Sequence, residues 1–135
     1  MPRLSVVFIR TSLLHLVLGF TLGALILVQK GVGVFPSAWR LLPAHIEVLF
    51  FGWTVQLIMG TAYWILPRFP THPVRGNEAP VRLAYTLLNA GVLAAALGPF
   101  LTPSPWTLLA GRLAEVLAII AFVSNAWPRV KPFGR

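Results

Sequence analysis

Leu41 to Leu66 reads L-L-P-A-H-I-E-V-L-F-F-G-W-T-V-Q-L-I-M-G-T-A-Y-W-I-L, and Pro67 and Arg68 stop it. As a helix rising about 1.5 Å per residue, this run is long enough to cross a hydrocarbon core of roughly 30 Å. Upstream, a Gly/Pro-containing loop from Lys30 to Arg40 separates it from an apolar run, Val6 to Val28, broken only by Arg10, Thr11, Ser12 and His15. Downstream, the polar segment Phe69 to Arg82 holds three prolines and a glycine and reads as a loop. A third run, Leu83 to Leu101, ends in the T-P-S-P turn of Thr102 to Pro105, and a fourth, Trp106 to Trp127, ends at Pro128 and a basic tail. The pattern predicts an all-α integral membrane protein. It is one domain over 1–135, a four-transmembrane-helix bundle with helices over 6–28, 41–66, 83–101 and 106–127.

Composition agrees. The 135 residues are 57% hydrophobic and 10% charged, against about 25% charged in an ordinary soluble domain. A soluble monomer could not cover so much apolar surface. Cysteine is absent, which excludes disulfides, thiolate metal sites and covalently attached c-type haem. Any redox group would fall to histidine. The net charge of +8 would suggest nucleic acid in a soluble protein. Here the basic residues lie mostly between apolar runs, where membrane lipids with anionic headgroups are the better partner. A basic start before an apolar run also describes a signal peptide, but this run is too long for an h-region and no clear A-x-A site follows.

Loop charges set an orientation. Arg3, Arg10, Arg68, Arg75, Arg82, Arg129, Lys131 and Arg135 fall on one side, Lys30 and Arg40 on the other. The positive-inside rule then places the N and C termini in the cytoplasm. Trp39 and Trp106 mark the outer boundary and Trp64 and Trp127 the inner one, as interfacial anchors do.

Polar residues within the spans are costly in hydrocarbon and mark paired contacts or sites. His45, Glu47, Arg112 and Glu115 fall in one layer below the outer boundary, with Arg40 just above it. Arg112 and Glu115, three apart on one helix, read either as a neutralising salt bridge or as part of a lined site. His45 shares a stripe with Leu49, Gly52, Gln56, Met59 and Tyr63. Gly52 leaves room for a flat macrocycle, a neutral imidazole is the usual axial ligand of b-type haem, and arginines suit its propionates. A lone membrane histidine can equally be an interhelical hydrogen-bonder.

The stretch R-L-L-P-A-H-I-E-V-L-F-F-G-W-T-V-Q-L-I-M-G-T-A-Y-W-I-L-P-R, Arg40 to Arg68, resembles the second helix of subunit I of the haem-copper oxidase superfamily, nearest the nitric oxide reductase and C-type oxidase branches. The flanking R-T-S-L-L-H-L-V-L-G-F-T-L-G, Arg10 to Gly23, and F-V-S-N-A-W-P-R-V-K, Phe122 to Lys131, look like short stand-alone bacterial relatives of that subunit. The resemblance implies haem b with His45 as axial metal ligand; the layer read from the residues adds Arg40 and Arg112 at the propionates and Gly52 beside the macrocycle as cofactor-binding residues. It also implies the bacterial inner (cytoplasmic) membrane, and electron transfer beside a redox partner or an accessory place in a respiratory complex. With only His15, His45 and His72, the chain lacks the histidines of a haem-copper centre and is not a complete oxidase or reductase by itself.

His15 opens H-x-x-x-G-x-x-x-G with Gly19 and Gly23, a stripe suited to close helix packing. His15 itself is a packing hydrogen-bonder or a second haem or proton-relay group, and Asn89 and Asn125 read as interhelical hydrogen-bonders. The alternative to haem is a cofactor-free structural or assembly subunit; in either reading the chain is expected as a homo-oligomer or with partner membrane subunits. A small-molecule or metal transporter has less support, since no discontinuous helix pair is visible.

Overall fold

The computed structural model describes residues 1–102 and 104–130. Pro103 of the T-P-S-P turn, and Lys131 and Arg135 of the basic tail, lie outside them. Among the described residues are four helices long and apolar enough to cross a membrane: α1 (Arg3–Val32), α2 (Pro36–Ile65), α3 (Ala79–Leu101) and α4 (Pro105–Arg129). The chain runs up, down, up and down. Phe8 of α1, Tyr63 of α2, Val81 of α3 and Phe122 of α4 meet in one cluster, so the start of α1 and the end of α4 lie at the same end of the bundle. That end is called the terminal end below.

The helices are longer than the apolar runs at their starts because capping residues, not hydropathy, set the ends. Gly33 closes α1 with φ 70 and its N–H on the Gln29 carbonyl, the left-handed cap that glycine adopts freely. Pro36 opens α2 as a 3₁₀ turn before the apolar run begins. Leu66, extended ahead of Pro67, ends it. Asn77 Oδ1 accepts the Ala79 N–H at the start of α3, and Ser104 Oγ accepts the Trp106 N–H at the start of α4, ordinary N-terminal capping. Arg129, expected in the loose basic tail, instead closes α4 in a 3₁₀ turn and is 1% exposed.

One irregularity was not expected. From Val48 to Val55 α2 is a π-helix. The Thr54 hydroxyl donates to the Leu49 carbonyl five residues back at 3.0 Å, the spacing of that winding. Before it Ala44 and Glu47 are buried, within it Val48 and Gly52, and after it Gln56, Met59 and Tyr63. The extra residue per turn lets these sets face the bundle.

Two clusters hold the helices together. At the terminal end Phe8 stacks edge-on against Tyr85 at 5.2 Å and packs with Met59, Tyr63, Leu88 and Phe122. At the opposite end the core is Ala44, Val48, Val92 and Ala96. Between α3 and α4 the backbones come close: a methyl on Gly91 would lie 2.8 Å from the Gly111 carbonyl oxygen. In lipid such packing contacts and interhelical hydrogen bonds, rather than a hydrophobic driving force, hold helices together.

Candidate functional site

The seam between α1 and α2 is built by two histidines placed in mirror fashion. Nδ1 of His15 lies 3.0 Å from the Gly52 carbonyl, and Nδ1 of His45 lies 2.8 Å from the Gly19 carbonyl. A carbonyl only accepts, so each Nδ1 donates, and in the neutral ring Nε2 carries the lone pair. The glycines make room for the rings. A methyl on Gly52 would lie 2.8 Å from His15 Cγ, and one on Gly23 would lie 2.7 Å from His45 Cε1. The α1 stripe of Gly19 and Gly23 thus packs as a helix seam. His45 and Gly52 are seven residues apart on α2, about 10 Å along its axis, so the two imidazoles serve different levels.

On the opposite side of α2 lies an ion-pair layer. Arg112 Nη1 is 2.6 Å from Glu47 Oε2 and 2.9 Å from Glu115 Oε2, tying α4 to α2. Glu47 and Glu115 are 3% and 2% exposed, while the Arg112 side chain is 46% exposed. Its guanidinium lies 5.5 Å from the Phe51 ring centre. The Oε1 atoms of both glutamates are buried and lack a hydrogen-bond partner among the described residues. The intrahelical pair Arg112 and Glu115 was legible from spacing. The reach of Glu47 to the same nitrogen was not, because it depends on the helix phase set by the π segment.

A second polar system lies at the terminal end. Arg129 donates to the carbonyls of Tyr63, Leu66 and Pro67 at 2.9–3.0 Å, closing the last turn of α2. Asn125 donates to the carbonyls of Arg75 and Asn77, and the Tyr63 hydroxyl donates to Glu78 at 3.1 Å. Ser5 donates to the Gly60 carbonyl, joining α1 to α2. Asn125, expected to bond helix to helix, instead ties α4 to the loop between α2 and α3. Asn89 makes no interhelical bond either: it donates to the Tyr85 carbonyl one turn back on its own helix.

Haem would need a free imidazole nitrogen, a flat slot beside it and cations at propionate reach. His45 supplies the nitrogen and lines a recess of about 440 Å³ with Gly23, Lys30 and Trp39. The other expected members stand elsewhere. Gly52 is covered by His15, Arg112 is held by Glu47 and Glu115, and the Arg40 guanidinium lies 5.9 Å from the Phe100 ring centre. These residues do not fit haem as one set. Among the described residues no three His, Cys, Asp or Glu side chains are grouped to hold a metal ion.

Fold and polar layers together define a small polytopic membrane bundle braced by an intramembrane ion-pair layer. Comparison of the chain with known protein families, curated proteins and solved structures finds no match.

Proposed function

We propose that the protein is a cofactor-independent structural or assembly subunit, packing in the membrane against a second copy or another membrane subunit. The observation that carries this reading is the half-exposed Arg112 guanidinium, seven residues past Pro105 and so about 10 Å inside the helix. A charge at that depth needs a polar cover on its open side, and a neighbouring subunit supplies one. In this reading the termini face the cytoplasm, as the arginines at the terminal end favour. A reporter at Gly33 reading cytoplasmic would overturn that orientation.

A photo-crosslinking residue at Leu108, one turn from Arg112 on the same face and 42% exposed, tests the assembly reading in intact membranes. One defined protein adduct is expected there and none from Leu14 on α1, which is 70% exposed; no adduct from either position overturns it. A second reading, haem b on His45 for electron transfer in a respiratory complex, draws on one observation, the Nε2 lone pair left free by the Gly19 contact. The absorption spectrum separates the two. An intense Soret band in the purified protein, lost in His45→Ala, would replace the first reading with the second.

A further inference from the structure

We propose that the bundle holds one phospholipid, with an anionic headgroup on Arg40 and an acyl chain laid into a cleft between α1, α2 and α3. The cleft has a volume of about 310 Å³ and is walled by Leu18, Leu22, Val48, Leu93 and Leu97, with His15 at its deep end. It exists because the core at this level is made of small residues: Ala44 and Ala96 stand where Phe8, Tyr63 and Phe122 fill the terminal end. The wall is apolar in character apart from His15, whose Nδ1 is held by the Gly52 carbonyl.

A second cavity, about 370 Å³, lies directly above and is lined by Leu25, Phe35, Ser37 and Arg40. The two share Leu41 and Phe100, so they adjoin, and one acyl chain would run through both from the helix ends into the bundle. Arg40 stands at the mouth with its guanidinium over the shared Phe100, beside Trp39, which is 49% exposed and marks the headgroup level. A guanidinium binds phosphate oxygens in a fork. The path runs from Leu25 to His15 along α1, ten residues or about 15 Å, the reach of a chain rather than of a compact ligand. An unfilled gap of this size would forfeit dispersion contacts on every wall, and the bilayer supplies chains to fill it. Cation at the mouth, apolar path below and lateral opening between helices together select a phospholipid.

Native mass spectrometry of the full chain in a mild detergent tests this. The chain is offered phosphatidylglycerol or diacylglycerol of the same acyl composition. Wild type should retain one phosphatidylglycerol and hold it about tenfold more tightly than diacylglycerol, a difference of about 1.4 kcal/mol. Arg40→Gln should remove that preference while leaving chain binding. Leu97→Trp, at a position 48% exposed and outside the packed clusters, should fill the cleft and lower retention of both lipids. Equal retention by wild type and Leu97→Trp overturns the proposal, as does an undiminished headgroup preference in Arg40→Gln. A wild type that binds an isoprenoid alcohol but no phospholipid also overturns it.

Discussion

At the terminal end, Arg129 spends its hydrogen bonds on three backbone carbonyls that the end of α2 leaves open. At the other end, Arg112 meets two carboxylates that have no other partner among the described residues. Both arginines join distant segments, yet they do so under different terms. Arg129 answers acceptors that any helix ending there would present, and it does so near the membrane surface. Arg112 and its glutamates exist only for one another, inside the span, where losing one member strands the rest. The first arrangement is a cap and the second is a lock. The cores differ in the same sense: aromatic rings fill the terminal half, whereas alanines leave space in the other.

The largest effect should come from breaking the lock. Arg112→Ala leaves Glu47 and Glu115 buried without a cation and should cost about 3–5 kcal/mol in reversible unfolding from detergent micelles. Replacing all three together, with Arg112→Met, Glu47→Gln and Glu115→Gln, should cost less than Arg112→Ala alone. A triple variant weaker than the single one would show that the layer contributes net stability rather than mutual dependence.

The cap should matter less. Arg129→Ala removes the charged donor from three carbonyls and should cost about 2–3 kcal/mol by the same measurement. Its effect should concentrate in faster amide exchange over the last turn of α2. Exchange spread evenly through α2 would contradict a local cap.

Smallest is the seam. Gly52→Ala pushes a methyl into the His15 ring and should cost about 1–2 kcal/mol. Adding His15→Ala vacates the space that methyl needs, so the double variant should lose less than the sum of the two singles. Strict additivity would mean that the ring and the glycine do not touch.

The four spans were legible because each is a long apolar run closed by proline or glycine, signals local in the chain. Helix starts were read late, since Pro36, Asn77 and Ser104 act through capping geometry that hydropathy does not register. Of the polar layer, Arg112 with Glu115 could be read from a spacing of three within one helix. Glu47 could be assigned to the layer by depth but not to Arg112, because that contact needs the relative rotation of two helices. His15 and Gly52 were each visible as special residues, and only the packed seam shows that one occupies the space of the other. Arg129 read as a tail charge because nothing local marks a basic residue that turns back onto the end of α2.

The π-helical stretch at Val48 to Val55 bears on how the gene could change. Winding wider than an α-helix lets α2 keep two seams in phase, one through Glu47 and one through Gln56 and Tyr63. Each α-helical residue turns the chain by about 100°, and each residue of the wider winding turns it by less, so the stretch holds an extra residue without changing the phase of its flanks. Removing a single codon there would let α2 wind as a regular α-helix, with Glu47 still facing Arg112 and Tyr63 still in its cluster. The same deletion in an α-helical part of α2 would rotate one half against the other and break one of the two seams. The stretch with the wider winding is thereby the place in α2 where a change of length is best absorbed.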